Sequence, residues 1–327
     1  MYPVIMRRVL QKFCLAACFG LMAPTVSAAT PYAQLIVFGD SLSDPGNAYA
    51  MTGGLFPPAP YAHTFSNGAT AAQYMASSLG ASLTDYAIGG AMTDSQNYLA
   101  LTTPALAPVL GNTGISTQIA NWNPASVNLS SALFMVWGGP NDFSYAFGRA
   151  AAGEVVDFNA LVASTVNNVV NDVLSLASKG AHDFFVPNMP DLGLTPRAAA
   201  NGASFAALAT TLSNAYNAGL AQALNGLHNS LGLTIYSFDT AGYMSSIIAN
   251  PSSVGLSNVT TPCISAGAAT IAGGCAGYLY FDDIHPTTYA HSLIGGEFAQ
   301  AVPEPVAAVM LLAGLGVLGL MKRRITA

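Results

Sequence analysis

Five apolar runs of strand length, at 34–38, 83–88, 132–137, 182–187 and 233–238, alternate along the chain with segments of helical periodicity at about 69–79, 154–178 and 205–230. This alternation restricts the fold more than any other feature. Successive strands joined by helices lie parallel, and the helices must cover both faces of the resulting sheet. Segment 154–178 carries the clearest period, with Val155, Val156, Leu161, Val162, Val166, Val169, Val170, Val173, Leu174 and Leu176 at helical spacing and Gly180 as a stop. No repeat or linker interrupts residues 29–301, a length suited to one core. Stretches rich in Pro and Gly at 52–68 and 91–116 are expected to form excursions over the rim of a ligand site.

Charge narrows the function. The chain carries a net charge of −6. However, Arg7, Arg8, Lys12, Lys322, Arg323 and Arg324 all lie near the ends. Residues 29–301 keep only Arg149, Lys179 and Arg197 against 14 carboxylates, a balance of −11. Nucleic acid is disfavoured, because its capture needs many Lys and Arg contacts to phosphate. Electrostatic capture by anionic lipid is disfavoured for the same reason.

The ends read as addresses. Residues 1–28 have a basic start, an apolar stretch from Phe13 to Met22, and Val26-Ser27-Ala28 before a mature start at Ala29, the pattern of a secretory signal. The other end runs Val302-Pro303-Glu304-Pro305, then uncharged Val306 to Met321, then Lys322-Arg323-Arg324. That apolar segment falls just short of the length of about 17–25 residues expected of a spanning helix. Its basic end suits a stop that keeps the cations in the cytoplasm. In an oxidising compartment the pair Cys263 and Cys275 is expected to form a disulfide. Closing a loop of this size contributes roughly 3 kcal/mol. No Cys–His cluster has metal-ligand spacing, and neither metal nor cofactor is expected.

Four segments carry chemistry. Gly39-Asp40-Ser41-Leu42-Ser43-Asp44 follows the first apolar run, which places a serine hydroxyl at the carboxyl edge of the sheet. Phe281-Asp282-Asp283-Ile284-His285-Pro286 offers a base and a carboxylate to orient it, three residues apart. The same Asp pair also fits a helix N-cap, and the two readings are compatible. Trp137-Gly138-Gly139-Pro140-Asn141-Asp142 brings an Asn amide to a strand end, where it could donate to an oxyanion or simply shape a turn. Gly89-Gly90, within Asp85 to Thr93, allows close approach to a substrate and offers bare N–H donors.

Taken in this order, the four segments resemble the GDSL-type (SGNH) serine hydrolases, as do Phe65-Ser66-Asn67-Gly68, Asp44-x-Gly46-Asn47 and Val186 to Gly193. The resemblance spans nearly all of 29–301. It implies a flavodoxin-like three-layer α/β/α sandwich, strand order 2-1-3-4-5, with the nucleophile after strand one. It also implies that Ser41, His285 and Asp282 form a catalytic triad, with Asp283 as the alternative acid. The oxyanion hole would comprise Ser41, Gly90 and Asn141, with Gly89 as the alternative to Gly90. Asp85 departs from the Asn common at that position, a change expected to affect the local turn more than the chemistry. The implied activity is cleavage of small-molecule or lipid carboxylic esters. The alternatives are acyl transfer by the same residues and a non-catalytic surface protein that binds matrix polysaccharide. The C-terminal order resembles a PEP-CTERM sorting tail, which implies processing by an exosortase and a cell-surface or extracellular location in a Gram-negative bacterium. Membrane contact is expected only through the two targeting ends. His63 lies in the first rim stretch as a further candidate for substrate contact, whereas His182, His228 and His291 read as ordinary surface or core residues.

Overall fold

The computed structural model describes residues 32–303, so the expected signal segment 1–28 and all but the first two residues of the expected sorting segment 302–327 lie outside the described residues. Strands β1 (Gln34–Gly39), β2 (Ser82–Asp85), β3 (Ala132–Trp137), β4 (Asp183–Pro187) and β5 (Thr234–Phe238) form one sheet in the order β2-β1-β3-β4-β5. Every neighbouring pair is parallel. The six longer helices are α1 (Ala71–Leu79), α2 (Pro140–Ala151), α3 (Phe158–Ser178), α4 (Ala203–Leu231), α5 (Thr240–Ala249) and α6 (Thr288–Gln300). This is the three-layer α/β/α sandwich that the alternation and the resemblance both indicate.

Side-chain alternation explains the layers. Successive residues of a strand face opposite sides of the sheet. Ile36, Phe38, Phe134, Val136 and Phe184 therefore enter one core, where Phe143 of α2, Val169 and Val173 of α3 and Tyr216 of α4 meet them. Leu35, Val37, Leu133, Met135 and Phe185 enter the other core, against Met75 of α1, Met244 of α5 and Phe298 of α6. With both faces buried, β1, β3 and β4 read as continuous apolar runs in the sequence. Val302 packs into the second core, so the fold extends one residue past 301.

Two expected boundaries move for local reasons. The run at 83–88 leaves the strand at Asp85, whose carboxylate accepts the Ala87 N–H and turns the chain. Tyr86 and Ile88 still donate to Val37 and Gly39 of β1, which holds the segment against the sheet edge. The helix expected from 154 begins at Phe158. Gly153 adopts φ +86°, and the Asp157 carboxylate caps the N–H groups of Asn159 and Ala160. Val155, counted in the apolar stripe, is 98% exposed.

The segment that leads into the Asp282 turn is stapled. Cys263 and Cys275 form a disulfide, their Cα atoms 5.7 Å apart, and pack against Phe281. The N–H groups of Cys263 and Ile264 donate to the carbonyls of Tyr280 and Phe281. Among the described residues no helix is long and apolar enough to cross a membrane.

Candidate active site

The carboxyl ends of β1 and β3 position the serine. Gly39 ends β1 where an added Cβ would lie 2.8 Å from the Trp137 carbonyl, so the two strands close together only around glycine. The chain then turns tightly. The N–H groups of Ser43 and Asp44 donate to the Asp40 carbonyl, and that of Leu42 donates to the Asp40 carboxylate. Ser41 sits at the tip of this turn.

Asp282, Asp283 and His285 come from the turn before α6. The structure brings Asp282 and His285 to Ser41 across a separation of 244 residues. His285 Nε2 lies 2.8 Å from Ser41 Oγ, and His285 Nδ1 lies 2.7 Å from Asp282 Oδ2. A carboxylate only accepts, so the imidazole proton belongs on Nδ1 and Nε2 is free to accept from the serine hydroxyl. Asp282 is held from three sides. Its Oδ1 accepts the N–H groups of Ile284 and His285 at 2.9 and 2.6 Å, and its Oδ2 also accepts the Tyr61 hydroxyl at 2.7 Å. Burial alone would raise the Asp282 pKa, but the His285 charge and the hydrogen bonds from His285 and Ile284 outweigh it and hold the acid well below the usual carboxylate range. Burial and the Asp282 charge push the Tyr61 phenol above its ordinary value, so it stays a donor.

Asp283 points elsewhere. It takes a bidentate ion pair from Arg197 at 2.8 and 2.9 Å, and its carbonyl accepts the Arg197 N–H. The carboxylate of Asp283, the alternative acid, therefore stands against Arg197 and not against His285, and it ties the turn to the Arg197 loop.

The donors face the same cavity. Asn141, at the start of α2, gives one amide N–H to the Ala91 carbonyl at 3.0 Å, which fixes its plane and leaves the second N–H. Gly89 spends its N–H on Asp44 Oδ2 at 2.7 Å, whereas the N–H of Gly90 has no partner among the described residues. Gly90 adopts φ +80°, and a Cβ there would meet Asn97 Oδ1 at 2.6 Å. Ser41, Gly90, Asn141, Asp282 and His285 all line a cavity of about 330 Å³. Its other walls are mainly apolar, with Leu42, Phe56, Phe65, Leu99, Leu192 and Ile284 among them.

Three supporting residues carry no signal in the sequence motifs. Tyr61 comes from the first rim stretch. Asn97 accepts from Leu99 and Ala100 and donates to the Gly89 carbonyl, so it pins the glycine pair. Gln118 pairs with both the N–H and the C=O of Gly39 at 3.0 and 2.9 Å. A buried Gln between Ile115 and Ile119 on an otherwise apolar helix face was the one pattern that could have revealed its role. His63 stacks on Tyr49 with ring centroids 4.1 Å apart and does not line the cavity. His182 pairs with Asp183, His228 lies against the Leu233 carbonyl, and His291 is buried in the second core layer. Among the described residues no group of three or more His, Cys, Asp or Glu could hold a metal ion.

A family model described as GDSL-like lipase/acylhydrolase matches residues 35–298. The chain is 23% identical over 295 residues to a thermolabile hemolysin of Vibrio parahaemolyticus, covering 82% of this chain and 63% of that protein. It is 24% identical over 327 residues to a phosphatidylcholine-sterol acyltransferase of Aeromonas hydrophila, covering 84% and 92%. An esterase of Pseudomonas aeruginosa is 26% identical over 333 residues, covering 88% of this chain and 50% of the esterase.

Proposed function

The chain belongs to the GDSL-like lipase/acylhydrolase family, and from that premise we propose that it is a carboxylic ester hydrolase working through a serine acyl-enzyme. The observation that carries the reading is the continuous relay from Ser41 Oγ through His285 to Asp282, with both links at 2.7–2.8 Å. His285 Nε2 takes the hydroxyl proton as Ser41 Oγ bonds to the ester carbonyl carbon. Asp282 keeps the imidazole in the right tautomer and balances the charge it gains. The carbonyl oxygen becomes an oxyanion held by the N–H groups of Ser41 and Gly90 and the free amide N–H of Asn141. Each such donor typically lowers the barrier by ~3–4 kcal/mol. The oxyanion collapses, the C–O bond to the alcohol breaks, and His285 returns the proton to the leaving oxygen. Water then repeats the cycle on the acyl group. Ser41→Ala is expected to abolish turnover of a chromogenic ester while leaving the circular dichroism spectrum unchanged. Wild-type turnover in folded Ser41→Ala would remove this mechanism.

Acyl transfer is the second reading, favoured by the acyltransferase name of the Aeromonas relative, 92% of which this chain spans. An acceptor alcohol would replace water in the second half of the cycle. Product analysis with an added alcohol separates the two: free acid marks hydrolysis, a new ester marks transfer.

The setting we infer is outside the cytoplasm. The reading rests on the signal-like residues 1–28, the disulfide, and the Pro-Glu-Pro, apolar, Arg-rich order at 302–327. An exosortase would process that tail. Mass spectrometry of protein from its host should then find a start near Ala29 and no apolar tail. Recovery of Val306 to Ala327 in secreted material would exclude sorting.

A further inference from the structure

We propose that the rim of the cavity docks on a lipid surface of no net charge, zwitterionic or neutral, with the cavity mouth facing it. Two long stretches, Pro45 to Thr84 and Ser95 to Asn141, contain no Asp, Glu, Lys or Arg. The 14 carboxylates and three basic residues of 29–301 all lie outside them. Parts of these stretches are open to solvent and apolar. Leu55 is 77% exposed, and Met51, Leu101 and Val109 are each above 40%. Pro58, Ala59, Pro60, Pro104, Ala105 and Pro108 around them are exposed too. The two stretches meet, since the short helices Asn47–Met51 and Ala107–Leu110 pack together.

The patch is continuous with the cavity. Leu55 directly precedes Phe56-Pro57-Pro58, and Leu101 follows Tyr98-Leu99, all five of which line it. Large exposed apolar patches on soluble proteins mark binding surfaces. Charge decides the occupant. With no cation in either stretch and −11 on residues 29–301, an anionic bilayer would be repelled, so apolar burial has to supply the affinity. A zwitterionic or neutral surface fits both facts. Docking there would pass an apolar ester chain from lipid to cavity without crossing water. This extends membrane contact beyond the targeting ends, and it is measured separately from ester cleavage.

The test compares the full chain with Leu55→Asp/Val109→Asp, neither residue being part of the cavity. Cosedimentation is run with phosphatidylcholine vesicles and with equimolar phosphatidylcholine and phosphatidylglycerol. The tail is common to both proteins, so their difference reports the rim. Removing both Leu55 and Val109 from the lipid contact, at about tenfold for each, is expected to weaken binding to phosphatidylcholine about a hundredfold. Turnover of a water-soluble short-chain ester should be unchanged. The milder pair Met51→Gln/Leu101→Gln should weaken binding in the same direction, and the Ser41→Ala protein should bind as wild type. Equal binding of wild type and both rim variants, absence of binding by any, or a wild-type-to-variant difference that is larger on the phosphatidylglycerol mixture would overturn the docking surface.

Discussion

At the scale of single residues, the proposed mechanism separates groups that react from groups that hold them. Asn141 has one amide proton committed to Ala91 and one left for an oxyanion. Its donor matters most when charge develops, so Asn141→Ala should lower kcat by about 10²–10³-fold with a smaller change in KM. A loss confined to KM would make Asn141 a ground-state binding residue instead. Tyr61 acts one step further out, because its hydroxyl shares Asp282 Oδ2 with His285. Tyr61→Phe keeps the ring and removes the donor. Hydrogen bonds to charged groups are worth ~1.5–3 kcal/mol, and two backbone N–H groups still hold Asp282. We therefore expect kcat to fall about tenfold at nearly constant KM. Unchanged kcat would show that the rim does not steer Asp282. Ser41, Asp282 and His285 were legible because each stands in a motif beside a strand or helix end. Tyr61 and Asn97 were not, because single polar residues in irregular loops have no period to betray them.

At the scale of elements, the short helix Ile115–Asn121 links the turn that carries Ser41 to the α3 layer. Its Gln118 grips Gly39, and the Lys179 ammonium donates to the Ile119, Ala120 and Trp122 carbonyls at its end, at 2.6, 3.1 and 2.9 Å. A cation at a helix C-terminus satisfies carbonyls that have no partner within the helix. Lys179→Met should cost about 1–2 kcal/mol of stability, read as a lower urea midpoint at constant m-value. An unchanged midpoint would mean that water replaces the ammonium freely. Strands β1, β3 and β4 were legible because both their faces are covered, which leaves long apolar runs, whereas the edge strands β2 and β5 are partly exposed and carry polar residues. The rim helices were not legible. Helices of four to seven residues are too short to be stable alone, and here tertiary contacts set them. The start of α3 was misjudged because a side-chain cap at Asp157 overrode the apolar pattern of Val155 and Val156.

At the scale of the molecule, buried acids make stability depend on pH. Burial pushes Asp172 up to about 8, with the charges of Asp142 and Asp94 adding to it, and burial pushes Asp40 and Asp142 up to about 7. Asp172 Oδ2 and Asp40 Oδ2 have no hydrogen-bond partner among the described residues. Each native value lies above the ordinary Asp value of about 3.9, so folding favours the neutral acid. Its contribution is complete below pH ~4 and is lost as pH rises toward 7–8. Burial pulls His291 down to about 3, which acts in the opposite sense and costs stability as pH falls below ~6.5. Asp172 lies on α3, away from the cavity, so its effect on stability can be read without touching the site. Asp172→Asn should raise Tm at pH 8 and change it little at pH 5, by differential scanning calorimetry. An equal shift at both pH values would assign the effect to packing.

The central claim is that Ser41 becomes covalently acylated because His285 and Asp282 stand in line behind it. The most direct measurement mixes the protein with a chromogenic ester, quenches in acid within the first turnovers, and maps the acyl group by peptide mass spectrometry. The account predicts a burst of released alcohol matched by one acyl adduct on the peptide bearing Ser41, with both absent from His285→Ala. Steady turnover with no adduct, or an adduct on another residue, would contradict it.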